Sequence, residues 1–435
     1  MKKIVLYIAL FAGMFSVQSC LHEEEEVFDT PAAQRIEEAV KADKALLESA
    51  TNGWKFEYYY GYEYENGGVN FLVKFKDGKV TATGETTVLL EYEPGTTSSS
   101  SYDVVTDLGP VLSFNTYNDI LHELAQPYQS AVDGLYGDYE FIIQKTTNDS
   151  IYLKGKKWGN KVLMTRLADD VNWTDYMTSV INTSYDVLTD YSGTINGQKA
   201  TAGLDVDYNW FFAEVGDEYV EMPYIYTSTG VKLREPVTIA GKEIQYLNYD
   251  SSTRLLTAEG DPSVSFTAQT PEGWLPFDFF AGTYNFRYNS GTFPVTLVPD
   301  KPHQRYLMRG FNEKYDVVLN YSRANGTLEW CSQQLGVDDD GLAVWLCAWA
   351  IGDGGSLTWS TDAGAYLVWN KDEANPVFTF TDNGKYSSTF HTDSFIFWGL
   401  SGGSSAGAYA NPDWYAFGVN GYRMSYINSL TKTGN

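Results

Sequence analysis

Few residues of this chain are combined in a pattern that could carry metal or nucleophilic chemistry. His122 and Glu123 begin like the zinc-binding helix of a metalloprotease, but Gln126 occupies the position of the second histidine ligand. The chain has only 4 histidines and 3 cysteines in 435 residues, and it has no glycine-rich phosphate loop that ends in Gly-Lys-Ser or Gly-Lys-Thr. We therefore predict no metal site, no nucleotide site and no cofactor, and we interpret His122 as a packed, hydrogen-bonded residue.

An acidic turn at residues 338–341 lies midway between two cysteines, Cys331 and Cys347. The turn lacks the spaced acids and the closing glutamate of a calcium loop, so we interpret it as a solvated hairpin tip. If residues 328–334 pair with residues 343–349 across this tip, the two cysteines face each other, which predicts a strained cross-strand disulfide. The alternative is a pair of buried thiols, which a one-residue bulge would separate.

Tryptophans are concentrated in the C-terminal part of the chain. Seven of the 12 follow residue 276: Trp330, Trp345, Trp349, Trp359, Trp369, Trp398 and Trp414. An indole face can stack on a sugar ring much as it stacks on a nucleic-acid base, so a β-sheet that carries several indoles could hold a glycan. In the hairpin proposed above, Trp345 and Trp349 share one face and Trp330 lies on the other. Some of these indoles must therefore be core residues.

Three aromatic residues are the candidate ligand-binding residues of the chain. Trp414 and Tyr415 follow residues 402–412, a segment rich in Gly, Ser and Ala that shows no hydrophobic alternation. Trp158 lies at a turn and follows two lysines. Turns bury little surface, so an indole there is available to a partner. We predict that Trp158 and Trp414 are exposed and that they and Tyr415 bind the ligand; the alternative is that the two indoles pack in a core.

The N-terminus predicts the compartment in which these residues act. A basic start is followed by an apolar run at residues 4–15, which is too short to span a bilayer. Small residues then lead into Cys20, a pattern that resembles a bacterial lipobox. We predict a signal peptide at residues 1–19 and lipidation of Cys20; the alternative is a soluble secretion signal with an incidental cysteine. Several acyl chains on one cysteine would anchor the protein stably.

An acidic tether at residues 20–28 follows the predicted anchor and contains Glu23, Glu24, Glu25 and Glu26. This run resembles the surface-export signal of Bacteroidetes lipoproteins; the alternative, a solvated tether, is compatible with export. We therefore predict attachment to the outer membrane, facing the exterior.

The charge of the chain excludes one class of partner. It has 56 acidic and 30 basic residues and a formal charge of −26, which signal-peptide cleavage changes to −28 because two lysines are removed. Such a protein is not expected to bind nucleic acid, and an anionic outer leaflet would repel it.

The elements that position these residues are predicted to be mostly strands. Helical spacing predicts helices at residues 31–51, 117–126 and 169–188. Elsewhere apolar and polar residues alternate between closely spaced turn signals such as Asp77-Gly78, which predicts antiparallel strands. No helix is expected after residue 277.

The fold class is therefore predicted as mainly β with a few helices (α+β). An N-terminal α+β domain at residues 29–273 combines a helix with an antiparallel β meander. An all-β sandwich or barrel domain follows at residues 274–435, and the boundary lies near residues 268–276, where Pro and Gly crowd together.

Several segments together resemble one protein family. They are Asn52-Gly53-Trp54-Lys55-Phe56-Glu57-Tyr58-Tyr59, Gly67-Gly68 before Phe71-Leu72-Val73-Lys74-Phe75, Gly109-Pro110-Val111-Leu112-Ser113-Phe114-Asn115-Thr116-Tyr117-Asn118 with Leu121-His122, Gly137-Asp138-Tyr139-Glu140-Phe141-Ile142-Ile143, and Gly230-Val231-Lys232-Leu233-Arg234-Glu235-Pro236-Val237-Thr238-Ile239-Ala240-Gly241. The family is the domain of unknown function 4302, and the resemblance covers residues 20 to 270. It implies a cell-surface lipoprotein, often found beside outer-membrane nutrient-uptake systems, and it carries over no catalytic residue.

The sequence thus leads to a functional hypothesis with two alternatives. We expect a non-enzymatic surface lipoprotein that binds an extracellular glycan or protein and assists nutrient uptake by outer-membrane uptake proteins. The first alternative is an interaction protein that docks on an outer-membrane transporter and has no small-molecule ligand. The second alternative is a glycoside hydrolase, because two carboxylates can meet in space without any sequence motif.

Overall fold

A computed structural model of the chain describes residues 31–85, 93–107, 109–128, 131–289, 291–419 and 421–434. The predicted signal peptide, Cys20 and the acidic tether with Glu23, Glu24, Glu25 and Glu26 lie outside the described residues, so these stay predictions. The described residues are mainly β-strand and contain two α-helices, α1 (Ala32–Glu48) and α2 (Trp173–Asp186), which confirms the predicted fold class. Neither of these helices is long and apolar enough to cross a membrane.

The two helices lie where helical spacing predicted the first and the third helix. After α1, Gly53 adopts a φ of 86° and ends the helical segment; a Cβ there would lie 2.4 Å from the carbonyl oxygen of Val73. The helix α2 begins after Asn172, whose side chain accepts the backbone N–H of Asp175 at 3.1 Å.

The helix predicted at residues 117–126 is wrong. Only a 3₁₀ turn, Glu123–Ala125, forms there. The side chain of Asn118 caps a single turn, since it accepts the backbone N–H groups of Ile120 and Leu121, each at 3.1 Å. Gln126 is extended because Pro127 follows it, so the turn does not continue as a helix. Further 3₁₀ turns are Tyr62–Tyr64, Phe277–Phe280 and Pro412–Trp414.

The first β structure is a nine-stranded antiparallel sheet, which we call the rolled sheet. Its strands are β1 (Trp54–Tyr59), β2 (Gly68–Lys76), β3 (Lys79–Gly84), β4 (Ser98–Ser101), β5 (Asp103–Thr106), β6 (Pro110–Ser113), β7 (Glu140–Thr146), β8 (Ser150–Gly155) and β9 (Lys161–Arg166). The edge strands β4 and β5 are separated by one residue, Tyr102, so the two edges lie within about 7 Å of each other. The sheet is therefore rolled almost into a barrel around an aromatic core, and α1 packs against β2, β5 and β6.

The second β structure is a closed antiparallel barrel, the central barrel. Its strands follow each other in chain order: β10 (Asp190–Ile195), β11 (Gln198–Asp205), β12 (Trp210–Val215), β13 (Glu218–Tyr226), β14 (Gly230–Ile239), β15 (Lys242–Asp250), β16 (Leu255–Ala258) and β17 (Asp261–Ala268). Pairing of β10 with β17 closes the barrel, and Val180 of α2 joins its core. The predicted N-terminal domain at residues 29–273 thus contains both the rolled sheet and the central barrel.

The third β structure consists of a second closed barrel, the C-terminal barrel, and a six-stranded side sheet. The barrel strands are β18 (Gly282–Tyr288), β19 (Gly291–Lys301), β20 (Arg305–Arg309), β21 (Val317–Ser322), β22 (Thr327–Cys331), β26 (Gly364–Trp369), β27 (Val377–Asp382) and β31 (Ile427–Gly434). The side sheet contains β23 (Gln333–Val337), β24 (Ala343–Ala350), β25 (Ser356–Thr358), β28 (Ser394–Ser401), β29 (Ser404–Ala408) and β30 (Arg423–Met424). Barrel and side sheet share one hydrophobic core.

Polar contacts join the rolled sheet to the central barrel. Glu57 of β1 is 1% exposed and forms ion pairs with Lys55 and with Lys232 of β14, each at 2.6 Å. The side chain of Asn70 in β2 donates a hydrogen bond to the carbonyl oxygen of Tyr226 in β13 at 2.9 Å. These contacts fix the two β structures against each other.

Candidate functional site

A cleft of about 690 Å³ lies between the central barrel and the C-terminal barrel, and we call it the inter-barrel cleft. It is lined by the end of α2, by the loop between β15 and β16, by the connection between the barrels, and by strand ends of the C-terminal barrel. The lining residues are Tyr185, Asp186, Tyr249, Ser251, Ser252, Arg254, Trp274, Leu275, Pro276, Phe277, Asp278, Phe279, His303, Tyr321, Arg323, Trp369 and Glu373. A concave site of this size at a junction of two barrels is a typical ligand-binding position.

Trp274 holds one side of the cleft in place. Its indole N–H donates to the carbonyl oxygen of Arg323 at 2.8 Å, and the guanidinium of Arg254 lies 5.3 Å from its ring centre. Gly326 leaves room for the ring, because a Cβ there would lie 2.3 Å from it. Trp274 thus packs the β21–β22 turn against the central barrel, and its role is primarily structural.

Trp369 supplies an aromatic surface to the cleft, and its indole N–H makes no hydrogen bond among the described residues. It is half-buried at the end of β26, and its ring packs edge-to-face on Phe279 at 5.3 Å. With the half-buried rings of Tyr249 and Tyr321, it forms an aromatic wall of the cleft.

The basic groups of the cleft each form a hydrogen bond with the protein, and of these groups only His303 has a carboxylate partner among the described residues. Arg323 donates to the carbonyl oxygen of Ser184, Arg254 donates to Thr270 at 3.0 Å, and His303 pairs with Asp186 at 2.7 Å. The hydrogen bond that His303 donates to Asp186 raises the pKa of His303, and the charges of Asp186 and Asp278 raise it further, while burial opposes this shift.

Two acidic groups of the cleft stand without a counter-ion. Asp278 and Glu373 are exposed, and neither belongs to an ion pair among the residues that the structure describes. The cleft therefore offers free carboxylate acceptors beside an aromatic wall. Hydroxyl donors combined with apolar ring faces, as in a sugar, would satisfy both features.

Cys331 and Cys347 do not pair, and the hairpin register predicted for them is wrong. The chain leaves the C-terminal barrel at Cys331 and enters the side sheet, where Gln333 pairs with Leu346 and Gln334 with Trp345. Cys331 faces Gly364, both thiols are free and buried, and burial raises the pKa of each to about 12.

Trp414 is a core residue, which corrects the prediction that it is exposed. It is 6% exposed, lies parallel to the ring of Tyr315 at 6.1 Å, and belongs to the shared core. The backbone explains the fit: Tyr315 donates its hydroxyl to the carbonyl oxygen of Trp414 at 2.8 Å, and Gly336 leaves the space that the indole fills.

The other two predicted ligand residues lie apart from the inter-barrel cleft. Tyr415 is half-buried and lines a separate cavity of about 720 Å³ beside the exposed Phe417. Trp158 is half-buried on the rolled sheet, 4.9 Å from the ring of Tyr136 and 4.4 Å from the ammonium of Lys157. The structure therefore does not gather Trp158, Trp414 and Tyr415 into one site.

A second aromatic surface lies on the outer face of the side sheet. Trp345 and Trp349 of β24 share this face with Cys347, as predicted, and Trp398 of β28 pairs opposite Trp345. The indole N–H of Trp349 donates to Gly355 and that of Trp398 to Ser405, each at 2.9 Å. All three rings are half-buried, and these hydrogen bonds fix the indoles of Trp349 and Trp398.

Two sequence features that are typical of hydrolases, the Gly-x-Ser-x-Gly spacing and His122, have a structural role in this fold. Residues 399–403 and 403–407 have Gly-x-Ser-x-Gly spacing, but they form the β28–β29 hairpin instead of the strand-to-helix turn that exposes a nucleophilic serine. His122 stacks on Tyr139 at 5.1 Å, its Nδ1 accepts the backbone N–H of Asn118 at 3.2 Å, and burial lowers its pKa. His122 is therefore a packed, hydrogen-bonded side chain.

Two families of unknown function match the chain. The domain of unknown function 4302 (DUF4302) matches residues 24–251, and a second domain of unknown function (DUF4987) matches residues 257–398. No curated protein matches the chain. The first match confirms the resemblance inferred from the sequence and covers more than half of the chain. The chain belongs to the domain of unknown function 4302 family.

Proposed function

We propose that this protein is an outer-membrane surface lipoprotein that binds an extracellular glycan in the inter-barrel cleft and assists its uptake. The lipobox that ends at Cys20, and the acidic run that follows it, support the anchored location. The inter-barrel cleft supports the binding role, because it combines the Trp369 wall with the free carboxylates of Asp278 and Glu373. That combination is the observation that carries the proposal.

The charge of the cleft indicates which glycans it accepts. Asp278 and Glu373 form no ion pair among the described residues, His303 is paired with Asp186, and the whole chain carries a charge of −26. A polysaccharide rich in uronic acids would be repelled by this field. The ligand is therefore a neutral or amino-bearing glycan, whose hydroxyl or ammonium groups donate to the two carboxylates.

Binding of neutral, amino-bearing and acidic polysaccharides to the purified protein tests this proposal. We expect the first two classes to bind, and we expect Trp369→Ala and the double variant Asp278→Asn/Glu373→Gln each to weaken binding about tenfold or more, because aromatic and polar contacts with the ligand are lost. Matched controls are Trp398→Ala on the side sheet and Asp339→Asn/Asp340→Asn at the acidic hairpin tip, which should leave binding unchanged. Thermal melts verify that each variant is folded.

Three outcomes would count against the assignment. Loss of binding in Trp398→Ala but not in Trp369→Ala would move the site to the side sheet. No binding by any glycan, with co-purification of a transporter from outer membranes, would support the docking alternative. Release of shortened sugars during the assay would support a glycoside hydrolase.

The anchored location needs a separate experiment. Cys20→Ala should move the protein from the outer-membrane fraction into the soluble fraction, because the acyl chains are lost. Replacing Glu23, Glu24, Glu25 and Glu26 by alanine should keep the protein in the membrane but protect it from protease added to intact cells. Unchanged protease sensitivity would show that the acidic run carries no export information.

A further inference from the structure

A smaller cavity of about 270 Å³ lies where the rolled sheet, α2 and both barrels meet, and we call it the junction cavity. The rolled sheet contributes Glu85, the central barrel contributes Asp207 and Tyr226, and the turn after β21 contributes Arg323. Nothing in the proposed glycan binding uses this cavity, apart from Arg323, which also lines the inter-barrel cleft.

Glu85 is a buried carboxylate without a counter-ion. It is 7% exposed, and its Oε1 accepts the side-chain amide of Asn70 at 2.8 Å as well as the backbone N–H of that residue. Burial raises its pKa to about 7, and the two Asn70 bonds only partly offset this effect. No ion pair of Glu85 is present within the described ranges. An ionised carboxylate in such a position needs a positive partner.

Arg323 is a half-buried cation without a carboxylate partner. Its guanidinium donates to the carbonyl oxygen of Ser184, and it belongs to no ion pair in the part of the chain described by the structure. Arg323 and Glu85 line the same cavity together with Tyr226. In agreement, burial raises the pKa of the Tyr226 hydroxyl, Arg323 lowers it, and Glu85 and Asp207 raise it. Opposite charges therefore line one cavity, and neither Glu85 nor Arg323 forms an ion pair among the described residues.

We propose that the junction cavity binds a free α-amino acid with an aliphatic side chain. The ammonium group pairs with Glu85, the carboxylate pairs with Arg323, and the apolar side chain lies against Val69, Ile181 and Val206, which also line the cavity. The volume suits one such monomer and excludes an oligosaccharide. Each ligand charge satisfies a protein charge that is otherwise uncompensated.

Calorimetric titration of the full chain with L-alanine, L-valine and L-leucine tests this proposal. We expect at least one of them to bind. N-acetylation of that amino acid removes the ammonium, and conversion to its amide removes the carboxylate. We expect each analogue to bind about tenfold more weakly or worse, because one leaves Glu85 and the other leaves Arg323 without its charged partner.

Variants assign the ammonium contact to Glu85. Glu85→Gln, which keeps the shape of the side chain, should weaken binding of the amino acid about tenfold and abolish the preference over its N-acetyl form. Glu373→Gln is the matched control, since it removes a carboxylate from the inter-barrel cleft, and it should leave amino acid binding unchanged. A thermal melt of Glu85→Gln verifies folding, and loss of charge at a buried site should not lower its melting temperature.

The proposal is overturned if none of the three amino acids binds, or if N-acetylation or Glu85→Gln leaves the affinity unchanged. Because Glu85 lies outside the inter-barrel cleft, these outcomes are independent of glycan binding.

Discussion

Trp414 is buried although its neighbours in the sequence predicted that it would be exposed. It follows a Gly- and Ser-rich segment without hydrophobic alternation, yet its indole lies in the shared core against Tyr315 and beside Tyr409. The space that the indole occupies exists because Gly336, in a different strand, carries no side chain. The composition around Trp414 does not reveal Gly336, because that residue is distant in sequence.

Trp414→Ala should therefore destabilise the protein instead of leaving the fold intact. Removing a buried indole costs about 3 to 5 kcal/mol, because transfer free energy is lost and a cavity remains. Urea denaturation followed by fluorescence measures the loss in the free energy of unfolding. Trp158→Ala is the control; its ring is half-buried at a turn, so we expect a loss of about 1 kcal/mol or less. Equal losses for the two variants would contradict this assignment.

At the scale of elements, the end of α2 connects the central barrel with the C-terminal barrel. Two residues of the C-terminal barrel hold it: Arg323 donates to the carbonyl oxygen of Ser184, and His303 pairs with Asp186 at 2.7 Å. Phe277 stacks on the other side of the His303 ring at 5.4 Å. This contact depends on pH, because the pKa of His303 is raised from its usual 6.5.

The sign of that dependence follows from linkage. The protonated form of His303 is favoured in the folded state, so the pair stabilises the protein fully below the unfolded pKa of 6.5 and loses this effect as pH rises through the raised folded pKa. We expect Asp186→Asn to lower the melting temperature more at about pH 5.5 than at about pH 8.5. His303→Gln should show the same loss, and a difference that grows with pH would refute the assignment.

Helix prediction succeeded at two elements and failed at a third for a local reason. Residues 32–48 and 173–186 have apolar residues at helical spacing, and they pack on a β surface. Residues 117–126 have comparable apolar content, but the turn that Asn118 caps ends at once in a 3₁₀ turn, and Gln126 before Pro127 is extended. The apolar pattern predicts a helix but does not show whether its first turn continues.

At the scale of the whole molecule, the boundary between the two matched families does not coincide with the boundary between barrels. The first family ends at residue 251, whereas β16 and β17, which close the central barrel, extend to Ala268. The central barrel is therefore completed by residues that belong partly to the second match, which begins at residue 257. We infer that the two families fold together as one assembly in this chain.

The buried ion pair of Glu57 and Lys232 couples the rolled sheet to the central barrel. Replacing one partner at a time tests how much each contributes to the free energy of unfolding. Glu57→Gln leaves the 9% exposed Lys232 without its counter-ion and should cost about 3 to 5 kcal/mol of unfolding free energy. Lys232→Met should cost less, since Lys55 still lies 2.6 Å from Glu57. Urea denaturation of both variants measures the difference, and a larger loss in Lys232→Met would contradict this interpretation.

The sequence by itself determined the fold class, the family, and the prediction that antiparallel strands dominate, because hydrophobic period and turn residues act over a few neighbouring positions. It also indicated the shared face of Trp345 and Trp349, since alternation along one strand needs no partner. The tertiary structure decided which strands close into barrels, where Cys331 leaves one sheet for another, and that Trp414 is buried. It alone gathered Trp369, Asp278 and Glu373 into one cleft, and Glu85 and Arg323 into one cavity. Asp278 is distant in sequence from Trp369 and Glu373, as Glu85 is from Arg323, and only the packing of the β structures brings them together.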